Sequence, residues 1–235
     1  MGVTLEGATD ARVRDNCILA VSQGQAVGPV GVAAVNPVLA ALVPGDNEPL
    51  STMEAECVSV TPCGVTVLES ASVVVEGNRL RVRALGFCDE VEGVYASADA
   101  WGIRSCDSEH VTIIENEVSV AGVAVNATRT VGIHGAGDLT LIEGNTVDIY
   151  TESRVVQPVG IRLGYAEKGR VLNNTVSVEA ECASTAGNDG RMRASGITAF
   201  DSFKAQVTGN DILYSLSASG SPETCRVAVE GVYIE

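Results

Sequence analysis

The chain has 235 residues and a formal net charge of −15, with 15 Lys and Arg against 30 Asp and Glu. This acidity argues against binding to nucleic-acid phosphates or to an anionic membrane surface, because both need clustered Lys and Arg. Hydrophobic residues make up 46% of the chain but aromatic residues only 4%, so a core must be built mainly from small and β-branched side chains.

The first fifteen residues carry acids where a signal peptide would have a basic and then an apolar region, so no signal peptide is predicted. The most apolar stretch, residues 26–43, is about long enough to span a bilayer. It contains Pro29, Asn36 and Pro37 and is rich in Ala and Val rather than Leu. These features favour a buried coil of a repeat, and no membrane insertion is predicted.

An internal repeat is the main signal of the sequence. Six segments align on a glycine followed fourteen residues later by an asparagine, or thirteen in one unit, and they begin at Gly2, Gly64, Gly102, Gly132, Gly160 and Gly196. A degenerate unit from Gly31 to Asn47 and a short one from Gly231 extend the series. The glycine-to-glycine steps vary between 28 and 38 residues, which indicates one loop of variable length in each repeat.

Apolar residues alternate with polar ones on both sides of each asparagine, as in Val118 and Val120 after Asn116. A period of two over three to five residues is typical of strands, and no unit sustains the period of a helix. Each unit therefore predicts three short strands: one that begins at the glycine, one that ends before the asparagine and one that follows it. Stacked units predict three parallel sheets around a narrow core.

The recurring Gly-Ile/Val start and the Val-x-Ile-x-x-Asn-x-Val-x-Val pattern resemble the right-handed parallel β-helix repeats of the pectin-lyase-like superfamily. This resemblance implies an all-β solenoid of about seven coils that forms a single domain over residues 1–235. It also implies an asparagine ladder in the turn between the second and third sheets, formed by Asn16, Asn78, Asn116, Asn145, Asn174 and Asn210. Asparagine tolerates the left-handed backbone expected in that turn, and stacked amides form hydrogen bonds along the axis.

Ligands of that superfamily usually lie along the first sheet, at positions that point outward. The outward position two residues after each glycine holds Thr4, Ala33, Thr66, Arg104, His134, Arg162, Thr198 and Tyr233. Its three central members are basic, and neighbours in register lie about 4.8 Å apart, so they should repel one another unless an anion bridges them. Nearby turns supply acids and two lysines, namely Glu69, Asp107, Glu109, Asp138, Glu167, Asp201, Lys168 and Lys204.

Two interpretations of this face stay open. The first is a shallow groove for an acidic sugar or glycan, with acids for Ca²⁺ binding or proton transfer, where the candidate catalytic residues are Arg104, His134, Arg162, Asp107 and Asp138. Its enzymatic form would be a polysaccharide lyase or a glycoside hydrolase. The second is an ordinary solvated face whose arginines pair with the acids. The acid-pair and Arg-Ile-Lys signatures of polygalacturonase-like enzymes are missing, and no cofactor or zinc-type Cys and His spacing is present.

Seven cysteines are many for a cytosolic protein of this size. Cys57 and Cys88, and likewise Cys182 and Cys225, fall in loops of adjacent predicted coils, so we predict these two disulfides. Cys63 and Cys106 flank first-sheet strands and are predicted buried thiols that could also pair, which leaves Cys17 single. Disulfides of this kind are typical of an extracellular or cell-surface protein.

The first and last units share the same phase and show no cap, and an uncapped solenoid end exposes unpaired strands. We expect either a piece of a longer surface protein or a subunit that stacks on copies of itself into filaments. The leading prediction is a non-enzymatic, structural β-solenoid of a bacterial cell surface or extracellular assembly. Its predicted partners are copies of itself or the rest of a longer chain, and a glycan in the alternative, but no nucleic acid.

Overall fold

The computed structural model describes residues 2–27, 31–33, 57–88, 95–183, 190–219 and 225–234. These residues contain strands and turns but no helix, and the strands stack in chain order into three sheets. All pairings in the described residues are parallel except that of β3 with β4. The predicted right-handed parallel β-helix is therefore confirmed.

The first sheet contains β1 (Val3–Glu6), β5 (Cys57–Val60), β6 (Cys63–Leu68), β9 (Tyr95–Cys106), β12 (Ala127–Ala136), β15 (Val155–Gly164), β18 (Gly190–Phe200) and β21 (Cys225–Ile234). The second contains β2 (Arg12–Arg14), β7 (Val74–Glu76), β10 (Thr112–Ile114), β13 (Leu141–Glu143), β16 (Arg170–Leu172) and β19 (Gln206–Thr208). The third contains β3 (Cys17–Val27), β4 (Gly31–Ala33), β8 (Arg79–Cys88), β11 (Glu117–Ala124), β14 (Thr146–Ser153), β17 (Thr175–Ala183) and β20 (Asp211–Ser219). Six coils each take one strand from every sheet, starting at β1, β6, β9, β12, β15 and β18, and β21 begins a seventh.

The core is a set of stacked aliphatic columns. In the first sheet Ile103, Ile133, Ile161 and Ile197 lie in register on successive coils, and each is fully buried. Equivalent Val, Ile and Leu columns from the other two sheets fill the same axis. A coil this narrow leaves little room for rings, which accounts for the low aromatic content, and β-branched side chains suit the stacked strands.

No coil lies between the units that begin at Gly2 and Gly64, where the sequence predicts the unit from Gly31 to Asn47. Strand β1 pairs directly with β6, and Asn16 bonds directly to Asn78, so the first two coils are already neighbours. Residues 31–33 pair antiparallel with β3 instead, which removes Ala33 from the outward column. The backbone of β1 is satisfied by β6 and offers no place for an intervening strand, while residues 34–47 lie outside the described part of the chain.

Each repeat glycine lies in a first-sheet strand, where that strand packs against the third sheet. The residues on either side of the glycine are paired with the adjacent coil, but the glycine itself is not. A Cβ atom on Gly160 would lie 2.6 Å from the carbonyl oxygen of Gly196 and would overlap Val176 of β17. Gly132 has the same surroundings on the coil before it. These glycines are therefore required by close packing of backbone and third-sheet side chains.

The ladder asparagines hydrogen-bond along the stack. Each Nδ2 donates to the Oδ1 of the asparagine on the next coil, at 2.9–3.0 Å from Asn16 through to Asn210. The expectation that the asparagine itself takes the left-handed backbone is wrong. That conformation belongs to the residue before it, which is Asp15, Gly77, Glu115, Gly144, Asn173 or Gly209. The asparagine acts through its amide, which also caps the carbonyls of the turn.

The predicted Cys182–Cys225 disulfide is confirmed. It joins the third-sheet strand β17 to the first-sheet strand β21, so both cysteines lie in strands rather than in loops. The side chains of Cys57 and Cys88 lie outside the described part of the structure, and their pairing stays a prediction. Cys17, Cys63 and Cys106 are free thiols; Cys17 is exposed, whereas Cys63 and Cys106, which the sequence predicts to be buried, are partly buried.

Candidate functional site

The residues two positions after the repeat glycines stack in one column on the outer face of the first sheet. The members of this column are paired in register across the seven coils; they are Thr4, Thr66, Arg104, His134, Arg162, Thr198 and Tyr233. The structure therefore brings three of the predicted site residues together, with His134 between Arg104 and Arg162.

A second column lies three residues before the glycines, beside the first one on the same sheet. It contains Asp99, Arg129, Gln157 and Arg193, of which the first three are paired in register. Between the two columns the sheet forms a groove of about 360 Å³, lined by Arg129, Gln157, Val159, Arg162, Arg193, Ser195, Thr198, Phe200 and Tyr233. Sequence reasoning missed this second column because it considered only the residues after each glycine. The arginines three residues before Gly132 and Gly196 could have indicated this column from the sequence.

Aromatic rings hold the arginines of this groove and also Arg104, which lies outside the groove lining on the adjacent coil. The guanidinium groups of Arg104 and Arg129 each lie 5.1 Å from the ring centroid of Trp101. Arg162 lies 4.4 Å from the centroid of Phe200, and Arg193 lies 5.8 Å from that of Tyr233. Arginine stacking on a ring face keeps the planar group ordered and leaves its edge N–H donors for a ligand.

Acids neutralise only two of these four arginines. Arg129 bonds Asp99 at 2.9 Å and Arg193 bonds Glu230 at 3.3 Å. Within the described part of the chain neither Arg104 nor Arg162 forms an ion pair, although Arg104 Nε lies 3.3 Å from the Sγ of Cys106. Burial and the neighbouring charge of Arg129 lower the pKa of Arg162 from its ordinary value. The groove and the adjoining Arg104 thus form a local excess of positive charge on a strongly acidic protein.

His134 is the buried member of the outward column, with 8% of its surface exposed. Its ring stands edge-on to Trp101 at 5.6 Å between centroids, and its Nδ1 has no hydrogen-bond partner. Burial, followed by the charges of Arg162, Arg104 and Arg129, lowers its pKa to about 4. The imidazole is therefore neutral at pH 7 and holds an unused polar atom between two unpaired cations.

The two candidate carboxylates lie away from this column. Asp107 and Asp138 are exposed on the turn between the first and second sheets, and Asp107 takes the left-handed backbone there. The Oδ1 of Asp138 accepts a hydrogen bond from the backbone N–H of Glu167 at 2.8 Å. The described contacts join neither carboxylate to Arg104, His134 or Arg162. The described residues also contain no cluster of three or more His, Cys, Asp or Glu that could hold a metal ion.

Replacing His134 with Gln is expected to reduce the loss of stability on acidification. The folded pKa of about 4 lies below the ordinary value of 6.5, so the unfolded chain binds the extra proton between these two values. This group therefore favours folding above pH 6.5, and its contribution is lost as the pH falls toward 4. Urea unfolding at pH 7 and at pH 4 measures the free energy of unfolding. Its decrease between the two pH values should be larger in the wild type than in the variant by about 2–3 kcal/mol.

The matched control is His110→Gln, which changes an exposed imidazole on a turn. His134 is unchanged in this variant, so the pH-dependent loss seen in the wild type should persist. Equal losses for the wild type and the His134 variant would show that the imidazole is not held neutral by its surroundings.

No protein-family model, no curated protein and no solved structure matches this chain. No described segment forms a helix that is long and apolar enough to cross a membrane. The interpretation of the groove therefore depends on its own geometry and charge.

Proposed function

We propose that this protein is a non-enzymatic β-solenoid that binds an acidic glycan in the groove of its first sheet. The observation that carries the proposal is the pair of unpaired, ring-stacked arginines, Arg104 and Arg162, on either side of a buried neutral His134. Neither arginine has an acidic partner among the described residues, so both guanidinium groups are available to an anion. A carboxylate at either position would accept charge-assisted hydrogen bonds from it.

The repeat spacing favours a chain-like ligand over a single small anion. Arg104 and Arg162 lie two coils apart, about 10 Å, because neighbouring strands are separated by about 4.8 Å. A polymer of acidic sugars presents carboxylates at regular intervals and would satisfy both positions at once. The ring of Tyr233 and the apolar side chain of Val159 also line the groove and offer contact area for sugar rings.

The carboxylates favour binding over cleavage. Glycoside hydrolysis needs two carboxyl groups on either side of the bond that breaks, and a lyase needs a free base beside it. The acids on the groove face, Asp99 and Glu230, are each held by an arginine, and Asp107 and Asp138 lie on the turn. Membership of the pectin-lyase-like superfamily, suggested by the repeat pattern, fits a groove on this sheet and stays part of the proposal.

The disulfide between Cys182 and Cys225 favours an extracellular or cell-surface location, because such bonds persist in oxidising compartments. An acidic glycan of a cell wall, capsule or extracellular matrix is the class of partner available there. The rod would serve as a rigid support that holds the binding groove at a fixed position.

The Arg162→Ala variant is expected to bind acidic glycans at least tenfold more weakly, since a charge-assisted hydrogen bond contributes about 1.5–3 kcal/mol. Calorimetric titration with polygalacturonate, alginate and hyaluronan, beside a neutral glucan, measures this loss. The matched control is Arg81→Ala, which removes an exposed arginine from the third sheet.

Unchanged affinity in the Arg162 variant, or equal losses in both variants, would contradict the groove as the binding site. The same mixtures are followed by absorbance of unsaturated uronates. Product that the wild type forms and the Arg162 variant does not would establish the lyase alternative instead.

A further inference from the structure

We propose that the glycan leaves the groove sideways and continues around the first turn onto a second cationic subsite on the second sheet. The bound chain would then follow the axis only between Arg104 and Arg162 and would cross the rod from there. This inference rests on the proposed function and names the path of the ligand at that site. The subsite is formed by Lys168, Arg170 and Lys204, with Phe203 beside them.

The two lysines of the chain lie next to each other in this subsite. Lys168 and Lys204 are the only lysines among the 235 residues. They occupy the same turn position on the fifth and sixth coils, where the N–H of Lys168 donates to the carbonyl of Phe203 at 2.8 Å. Arg170 and Gln206 follow in register on the second sheet. A depression of about 550 Å³ runs among them, lined by His110, Leu139, Lys168, Arg170, Lys204 and Gln206.

The charge of this subsite is largely uncompensated. Glu167 lies 3.3 Å from Lys168, and both side chains are about half exposed, so solvent screens their attraction. Within the described part of the chain Arg170 and Lys204 form no ion pair, and the Nζ of Lys204 lies 4.8 Å from the ring centroid of Phe203. This cation–π contact holds the ammonium group of Lys204 beside an exposed ring.

The two lysines lie at a turn position with a left-handed backbone. Lys168 and Lys204 both have a φ of 58°, in the left-handed region. A residue with a side chain pays roughly 1–2 kcal/mol in that region, and Gly or Asn occupies it more readily. Asp10, Ser72, His110 and Leu139 hold the same position on the other coils, also at positive φ, so this backbone is common to the turn whatever its side chain.

Exposed rings connect the groove to the subsite on the same two coils. Arg162 of the groove packs on Phe200, and Phe200 contacts Tyr165 edge-on at 5.1 Å between centroids. Tyr165 is 65% exposed, and Phe203, three residues after Phe200, is 66% exposed. Rings are scarce in this chain at 4% of residues, so their concentration along one short path is specific. Sugar rings stacking on Tyr165 and Phe203 would carry the glycan over the turn.

The path of cationic residues does not extend along the rod axis toward the first two coils. The same turn column holds Asp10 and Ser72 in the first two coils, and the outward column holds Thr4 and Thr66 there. An acidic chain that extended along the axis toward these coils would meet no cations from either column.

The test compares short and long fragments of an acidic glycan that binds the wild type. A disaccharide fills part of the groove, whereas an octasaccharide reaches around the turn. The double variant Lys168→Ala/Lys204→Ala should bind the octasaccharide about tenfold more weakly and the disaccharide as the wild type does. The control is Arg81→Ala/Arg83→Ala, which removes two exposed charges of the third sheet and should leave both affinities unchanged.

Unchanged binding of the octasaccharide by the lysine variant overturns the inference while the proposed function stands. Equal weakening by the control variant also overturns it, because the loss would then reflect overall charge. Tighter binding of a single-stranded RNA octamer than of the octasaccharide, abolished in the lysine variant, would identify a different class of ligand. No binding of any acidic fragment to the wild type would remove the proposed function itself.

Discussion

Replacing Asn116 with alanine is expected to destabilise the fold by about 3–5 kcal/mol. Its side chain is 2% exposed. Its Nδ2 donates to the carbonyls of Val75 and Ile114 and to Asn145 Oδ1, and its Oδ1 accepts from the N–H and the Nδ2 of Asn78. Alanine removes all of these bonds and leaves buried donors and carbonyls without partners. The cost of unsatisfied buried groups, rather than the net value of five hydrogen bonds, sets the magnitude.

The control for this ladder variant is Asn16→Ala at the first coil. Asn16 is exposed, and its amide donates to the carbonyl of Arg14 and to Asn78 Oδ1. Its loss is expected to cost about 0.5–1 kcal/mol, since water replaces much of what is removed. Urea unfolding of both variants, followed by far-UV circular dichroism, measures the difference. Equal costs at the two positions would show that the ladder does not stabilise the interior of the stack.

Gly160→Ala is the second substitution with a large expected effect, about 3 kcal/mol or more of lost stability. The new Cβ would overlap Val176 and approach the carbonyl oxygen of Gly196 to 2.6 Å. Backbone on the next coil cannot move aside without breaking the register of the first sheet, and the valine is fully buried. Thermal unfolding should therefore show a clearly lower Tm.

Gly231→Ala provides the comparison within the same column. No atom lies within 4 Å of a Cβ built on Gly231, and the residue is exposed. This variant should stay within about 1 kcal/mol of the wild type, because alanine also restricts the unfolded chain. A Gly160 variant as stable as the Gly231 variant would mean that the coils are spaced more widely than described.

The fold was predictable because its constraints recur in every coil. The glycine marks the site of closest packing, the asparagine marks the turn with the ladder, and the alternating Val and Ile between them mark the strands. These rules depend on residues close together in the sequence. The error at Gly31 arose because a glycine and an asparagine sixteen residues apart imitate the spacing without the pairing. Only the direct pairing of Val3 with Val65 shows that no coil lies between them.

The spacing of the repeat glycines predicts one of the two residue columns of the candidate site. The column that contains Arg104, His134 and Arg162 is fixed by its distance from the glycines, so the sequence predicts it. The second column, with Arg129 and Arg193, could be assigned to the site only once the groove between the two columns was known. Whether an arginine is paired also depends on its neighbour in an adjacent coil, as Asp99 of the preceding coil is for Arg129. The burial of His134 depends on Trp101, which lies on the preceding strand.

The most direct test of the groove as an acidic-glycan site is the pKa of His134, measured by ¹⁵N NMR of the imidazole with and without the glycan that binds most tightly. The free protein should give a value of about 4. A carboxylate bound between Arg104 and Arg162 would favour the charged imidazole and raise the pKa by about one pH unit or more. A pKa that stays at its free value while the glycan saturates the protein would contradict binding in this groove.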